Sequence, residues 1–430
     1  MTTPALLTDH YELTMVQAAR HSAAADRRCV FEVFARSLPG RRRYGVVAGV
    51  GRLLESLPDF RFDADALDFL AAQGVVDAAT CEWLASYRFT GSIDGYAEGE
   101  TYFPNSPVLV IDGTFAECTV LETLVLSVLN HDTAVATAAA RMVCAAGDRP
   151  CIEMGSRRTH EKAAVASARA AYIAGFASTS NLAAGSRWGI PTTGTAAHSF
   201  TLLHDDERSA FEAQVAELGA DTTLLVDTYE VEQGIRTAVE VAGPGLGAVR
   251  LDSGDLPSQA RMARALLDEL GATGTRIVVT SDLDEMSIAA LAAAPVDAYG
   301  VGTSLVTGSG VPTAGFVYKL VARCDSSGEL VGVQKKSVGK GSIGGRKWAT
   351  RAYAGGVATS ERVYVDQTPP AREDERLLMT AYVRDGEVLE VPSLAEAREH
   401  CRRSRGELPD EAMKLSAGDP ALDVDYITTG

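Results

Sequence analysis

Apolar positions recur at helical spacing from Leu6 to Met15. Asp9 followed three residues later by Glu12 has the form of a capping box, so the pattern predicts a helix with Tyr11 in its first turn. Spacing alone reads that ring as a core contact. The run from Phe31 to Arg36 alternates as a strand does and is broken by Pro39-Gly40 ahead of the basic triplet Arg41-Arg42-Arg43. That triplet is either a solvated loop or part of a phosphate site. Residues 90–115 alternate again around Gly and Pro and predict a small β-rich module. Thr119 and Glu122 repeat the capping-box spacing, which is expected to open a long Ala/Val/Leu-rich helix reaching about Gly147.

Between Cys151 and Ser304 the pattern changes to short β-prone runs separated by amphipathic helical spacing. The expected strands are 151–154, 192–196, 223–227, 248–252, 276–281 and 297–302. Such alternation predicts a parallel sheet with covering helices, as an open doubly wound sheet or a barrel. Polar residues collect at the carboxyl ends of these runs: Arg157 and Arg158, His198, Asp227, Asp252 with Asp255, Ser281 with Asp282, and Thr303 with Ser304. In a (β/α) barrel one cleft holds them all. A single Asp after a strand usually caps a helix, a reading that weakens when applied to the whole set. The C-terminal third returns to mixed α+β character. Residues 335–347 form either a basic solvated loop or a lid over an anionic substrate, residues 368–374 a linker or turn, and Asp385-Gly386 a hairpin turn; the last residues are expected to be frayed.

Composition narrows the function classes. With 430 residues and 46% hydrophobic content the chain can bury large cores and form two or three domains. A formal net charge of −17 argues against a general nucleic-acid or acidic-membrane binder, which needs an extended basic surface. An anionic ligand must therefore meet a local cationic patch. The seven cysteines are scattered and contain no C-x-x-C pair, which favours neither a disulfide framework nor a zinc site and fits a reducing cytoplasm. No basic stretch precedes an apolar N-terminal core and no run of about 18 apolar residues occurs, so neither a signal peptide nor a membrane span is expected.

The chemistry centres on Pro191-Thr-Thr-Gly-Thr-Ala-Ala-His198-Ser-Phe200, where small residues lead to one imidazole. A neutral imidazole is a usable phosphoryl acceptor or acid/base near neutral pH, although a lone histidine is more often simply packed. Two glycine patterns fail as fingerprints. Gly300-Val-Gly302-Thr303-Ser304-Leu305 has Leu305 where a dinucleotide motif needs its third glycine, and Gln334 stands where a P-loop ending at Gly339-Lys340-Gly341-Ser342 needs its first. Backbone N–H groups around 302–304 remain suited to a phosphate.

Taken together, Leu7-Thr-Asp-His-Tyr11, Phe34-x-Arg36-x-Leu38-Pro39, residues 98–113, Glu153-x-Gly155-x-Arg157-Arg158, Thr179-Ser180-Asn181, Gly194-Thr195-x-x-His198-Ser199, Arg250-x-Asp252-Ser-Gly-Asp255, Gly302-Thr303-Ser304 and Lys336-x-x-x-Lys340 resemble the nicotinate phosphoribosyltransferases, a type II phosphoribosyltransferase family. The motifs span residues 6 to about 350 in the family's order. The resemblance implies conversion of nicotinate and phosphoribosyl pyrophosphate to nicotinate mononucleotide and pyrophosphate in NAD salvage. ATP hydrolysis would be coupled through a phosphohistidine at His198. It implies an irregular α/β barrel over 116–330 and an α+β domain built from 1–115 and 331–430. It also implies a cytoplasmic homodimer whose shared sites place Tyr11 of one chain on the pyridine held by the other.

The residue types suit that reaction. The pyridine nitrogen is already unprotonated at neutral pH, so the site must stabilise a ribosyl cation and a departing pyrophosphate. On this reading His198, Asp252 and Arg250 are the catalytic set. Asp227, Asp252 and Asp255 suit Mg²⁺ and ribose hydroxyls, with Asp252 and Asp255 as the metal ligands. Gly302, Thr303 and Ser304 would hold the 5′-phosphate. Arg157, Arg158 and Arg250 would face the carboxylate or pyrophosphate, and Thr195, Lys336 and Lys340 complete the substrate contacts. Related nicotinamide enzymes carry aspartate at the position of Ser180, so Ser180 predicts preference for the acid. Two departures from the family pattern are Gly344, where many relatives have proline, and Met154, where nicotinamide-using relatives have a stacking aromatic. A Schiff-base aldolase on the same barrel would want a lysine at a strand end, and none of the expected strands ends in one. A quinolinate-specific relative needs no ATP-linked histidine, and a non-enzymatic metabolite-binding homologue would be expected to have lost a catalytic position, which none here has.

Overall fold

The computed structural model describes residues 3–335 and 343–428. The chain divides into two units, Met1–Thr137 with Val311–Gly430, and Ala138–Gly310. These boundaries differ from those expected near 115 and 330. The helix Glu122–Ala146 runs continuously through the first, so local composition shifts before the packing does.

The unit joining the two chain ends is α+β. Its larger sheet has seven strands in the order Leu330–Gly332, Phe316–Cys324, Arg28–Ala35, Leu109–Thr114, Ser92–Tyr96, Met379–Arg384 and Glu387–Val388, with antiparallel pairing throughout. Arg28–Ala35 is buried at every residue after the first, which accounts for its apolar run. The expected N-terminal helix is His10–His21, and Glu12 reaches back to the Asp9 N–H at 3.3 Å. The second capping box is not at Thr119. It is formed by Thr114 and Glu117 at the start of the short helix Phe115–Thr119, and the Thr119 hydroxyl is buried without a partner among the described residues. Asp385 and Gly386, with φ of 49° and 78°, make the expected hairpin turn. The expected frayed tail is instead a strand, Asp423–Thr428, lying parallel to Val357–Val365 in a four-stranded sheet. Its hydrogen bonds are long-range, so no local pattern announces it.

The second unit is an α/β half-barrel. Six short parallel strands form a curled sheet in the order Ser178–Thr179, Cys151–Glu153, Ala298–Val301, Arg276–Val279, Ala248–Leu251 and Thr223–Leu225. Five of these lie within expected strands and are shorter than the runs read from the sequence. The sixth expected strand, 192–196, is reduced to one bridge between Thr192 and Thr179, and residues 193–197 are loop. Helices Glu161–Ala174, Val231–Ala242 and Leu256–Glu269 alternate with the strands. Because all six strands run the same way, their carboxyl ends share one edge.

Candidate active site

Every strand of the half-barrel releases polar residues where it ends. Within Ala248–Leu251 and the residue after it, Arg250 and Asp252 are two apart and so face the same side. Arg250 Nη2 lies 3.3 Å from Asp252 Oδ1. Thr280, just past Arg276–Val279, accepts from Arg250 Nε at 3.0 Å and donates to Asp252 Oδ1. Arg250 Nη1 donates to the Thr195 hydroxyl at 2.8 Å and the Ala196 carbonyl at 3.1 Å. One guanidinium thus fixes a neighbouring carboxylate and the loop that leads to His198. Planar fork geometry suits that double task.

His198 does not sit at a strand end, as expected from the sequence. It opens the short helix His198–Leu203 after the anchored loop. Its Nδ1 meets the Thr228 hydroxyl at 3.1 Å, while Nε2 lies 3.7 Å from Asp252 Oδ2 and 3.9 Å from Asp227 Oδ1. The ring is 40% exposed and therefore reachable, whereas the Asp227 side chain is 1% exposed. Asp227 Oδ2 accepts from the Asp252 N–H and the Ser253 hydroxyl, both at 2.8 Å, but Oδ1 is buried without a hydrogen-bond partner among the described residues. An orphaned carboxylate oxygen aimed at a half-exposed imidazole is costly unless something else binds there.

Beside this group is a cavity of about 230 Å³. Arg157, Arg158, Arg250, Asp252, Gly302 and Thr303 line it, so it gathers six of the expected site residues. Met154, Thr280, Ser281 and Asp282 complete much of its wall. Arg157 and Arg158 are exposed. Gly300 is packed so tightly that a Cβ would lie 2.5 Å from Thr280 Cγ2 and 2.8 Å from Met154 Sδ. Ser281 has a φ of 125°, a left-handed value that a non-glycine residue adopts at a cost and that turns the chain sharply at the cavity wall.

The remaining expected residues are placed as follows. Ser304 is half-buried in the short helix Thr303–Val306, with its carbonyl accepting from the Ser309 N–H at 2.6 Å. Ser180 is exposed, its N–H donating to the Glu153 carbonyl at 2.8 Å. Asp255 is exposed at the start of Leu256–Glu269 and makes no capping bond with its side chain. Among the described residues no three His, Cys, Asp or Glu gather as a metal cage. Tyr11 belongs to the other unit, with its ring 45% exposed; partial burial and neighbouring Glu122, to which it is hydrogen-bonded, push its hydroxyl pKa up. Lys336 and Lys340 lie outside the described residues. Gly344 packs against backbone, since a Cβ there would lie 2.8 Å from the Val333 nitrogen.

A model of the nicotinate phosphoribosyltransferase N-terminal domain matches residues 6–130. The nicotinate phosphoribosyltransferase pncB1 of Mycobacterium tuberculosis is 60% identical over 427 residues, covering 97% of this chain and 94% of that one. The chain belongs to the nicotinate phosphoribosyltransferase family. The Bacillus subtilis nicotinate phosphoribosyltransferase is 38% identical over 77% of this chain and 69% of its own. The crystal structure of human nicotinic acid phosphoribosyltransferase superposes with a TM-score of 0.83 at 25% identity, covering 98% and 97% of the two chains. A nicotinate-nucleotide pyrophosphorylase from Pyrococcus furiosus shares the fold, with a TM-score of 0.78 at 24% identity over 94% and 95%.

Four residues of this family member carry the site without having been marked as side chains in the sequence. Thr228 holds the imidazole and Thr280 joins Arg250 to Asp252. Glu153 lies beneath the loops, and Glu207 has a buried oxygen without a partner among the described residues, near Asp227. Thr228 directly follows Asp227, so a strand-end hydroxyl beside a strand-end acid was the available signal. Glu207 had none, because it reads as an ordinary first-turn acid of the helix Glu207–Leu218.

Proposed function

We propose that this chain joins nicotinate to phosphoribosyl pyrophosphate, releasing nicotinate mononucleotide and pyrophosphate, with ATP hydrolysis coupled through phosphorylation of His198. The observation that carries the reading is the convergence of His198 Nε2 on Asp227 and Asp252 beside a cavity lined by three arginines and the Gly302–Thr303 turn. Homologues named nicotinate phosphoribosyltransferase over nearly the whole chain support the same reaction in NAD biosynthesis.

In the phosphoribosyl step the pyridine nitrogen bonds to C1 of the ribose as the C1–oxygen bond to pyrophosphate breaks. Arg157, Arg158 and Arg250 are suited to holding the pyridine carboxylate and the departing pyrophosphate, and the N–H groups around Gly302 to Ser304 to holding the 5′-phosphate. Asp252 stabilises the positive charge that develops at C1. In the coupling step a bare imidazole nitrogen of His198 takes the γ-phosphoryl group of ATP, releasing ADP, and water later removes it as phosphate. The added charge of roughly −1.5 to −2 then lies beside the cationic cavity, which links ATP use to substrate affinity.

The donor set suits Mg²⁺, because Asp252 and the unpartnered oxygen of Asp227 are hard ligands and Mg²⁺ takes one or two carboxylates plus substrate phosphates. Asp255 is the further ligand that the resemblance implies, but its exposed carboxylate does not gather with the other two. Bound there, Mg²⁺ would neutralise phosphate charge. A cytoplasmic homodimer with shared sites is the setting of this reading. Among the described residues no helix is long and apolar enough to cross a membrane.

The test is product formation. Purified protein supplied with nicotinate, phosphoribosyl pyrophosphate, ATP and Mg²⁺ should yield nicotinate mononucleotide, and omission of ATP should lower the yield. Absence of that product under all these conditions overturns the proposal.

A further inference from the structure

The strand Cys151–Glu153 ends on a carboxyl group that does not line the cavity and takes no part in either chemical step above. The Glu153 side chain is completely buried. One of its oxygens accepts the Gly155 N–H and the other accepts the Thr179 hydroxyl. Its backbone carbonyl accepts the Ser180 N–H at 2.8 Å. The links continue outward: Thr179 Oγ1 accepts the Asn181 N–H at 2.9 Å, and Asn181 Nδ2 donates to Ser156 Oγ at 3.0 Å. Two loops, 154–158 and 180–181, are therefore tied together through one carboxyl group. They carry Arg157, Arg158 and Ser180. The knot also abuts the phosphate turn, because a Cβ on Gly155 would lie 2.2 Å from Val306 Cγ1 and 3.1 Å from the Gly302 carbonyl.

Placing a carboxyl group there has a cost. Burial raises its pKa, and the Thr179 hydroxyl and the Gly155 N–H act against that rise. For packing alone an apolar side chain would serve better. What the carboxylate supplies is two directional acceptors, one for each loop.

We propose that Glu153 is the positioning residue for recognition of the substrate's ring carboxylate, holding Ser180 and the Arg157–Arg158 turn at a fixed separation without touching substrate. The inference rests on the nicotinate reading given above. Glu153→Met keeps much of the side-chain volume but offers no acceptor oxygen, so the Gly155 N–H and the Thr179 hydroxyl both lose their partner. Thr179→Val removes the hydroxyl that Glu153 accepts from and with it the acceptor of the Asn181 N–H, whereas Thr179→Ser retains both.

Steady-state kinetics of the full-length protein tests this with Glu153→Met, Thr179→Val, Thr179→Ser and the Glu153→Met/Thr179→Val double variant. The first two should raise the nicotinate KM about tenfold, leave kcat and the phosphoribosyl pyrophosphate KM within about twofold, and narrow discrimination against nicotinamide. Thr179→Ser should behave as wild type, and the double variant should fall short of the sum of its two components, because both changes remove the Glu153–Thr179 link. Uniform losses in kcat and both KM values, additive losses in the double variant, or an unchanged nicotinate KM overturn the proposal. If Glu153→Met does not fold, the two Thr179 variants make the same comparison. Wild-type protein that ignores nicotinate overturns the function reading and this inference with it, whereas active wild type with unaltered variants overturns this inference alone.

Discussion

The Nε2 atom of His198 lies 3.7 Å from Oδ2 of Asp252, close enough for a group bound at one to feel the charge of the other. If the imidazole is the phosphoryl acceptor, γ-labelled ATP should leave an acid-labile, base-stable label on the wild type and none on His198→Ala. Asp252→Asn should slow labelling by on the order of 100-fold through loss of electrostatic stabilisation. Label persisting in His198→Ala, read on gels kept at alkaline pH, contradicts the assignment.

Ser180 is exposed at the edge of the loop that Glu153 anchors. On the reading in which Ser180 faces the ring substituent, a carboxylate at this position would repel nicotinate and accept the amide N–H of nicotinamide. Ser180→Asp should therefore lower the ratio of kcat/KM for nicotinate over nicotinamide by about tenfold or more. An unchanged ratio in a competition assay removes Ser180 from the specificity argument.

Glu207 gives a pH signature. Burial first, and the Asp227 charge second, push its carboxyl from 4.5 up to about 7. The folded protein thus holds a proton between about pH 4.5 and 7 that the unfolded chain has lost, so stability falls as pH rises through that window and levels off above it. Glu207→Gln should remove this slope and be more stable at pH 8 by roughly 1–2 kcal/mol, a figure reduced for partial solvent screening. Urea midpoints at pH 5 and 8, with chelator present, read the difference. Identical slopes in the two proteins would falsify the assignment.

In the α+β unit, the fully buried guanidinium of Arg351 bonds Glu100 at 2.8 Å and Glu361 at 2.8 Å. Arg351→Met leaves buried carboxylates facing each other across an apolar side chain and should cost about 3–5 kcal/mol. Arg208, in an exposed pair with Glu240, should cost about 0–1 kcal/mol when changed to Ala. Comparable denaturant midpoints for the two variants would mean the buried network contributes no more than the surface pair.

How far these sites were legible in the sequence depended on the range of the forces involved. The parallel strands and their polar ends are readable because strand pattern and strand-end chemistry are local, so Asp227, Asp252 and Thr303 stand out from the pattern alone. The loop 193–197 was misread as a strand because its small and β-branched residues fit one, while its actual path is set by Arg250, 55 positions from Thr195. Glu153 sits in a marked motif, yet nothing local says that its side chain turns inward to Thr179, 26 positions away. The C-terminal strand was missed for the same reason, since its partner is Val357–Val365.

Tyr11 and His198 lie in different units of the chain, and the shared-site reading puts Tyr11 of one copy on the pyridine held by the other copy, whose His198 serves that site. A ring stacked on the pyridine contributes on the order of 1 kcal/mol or more, so Tyr11→Ala should raise the nicotinate KM several-fold while retaining His198 labelling. His198→Ala should keep the ring and lose ATP coupling. Mixed, unfolded and refolded together, the two variants would form hybrid dimers in which one site receives both defects and the other receives neither. Random association then restores about a quarter of the sites, and ATP-coupled turnover at low nicotinate should exceed the sum of the separate variants. Activity no greater than that sum means each chain supplies its own Tyr11, and the shared site is wrong.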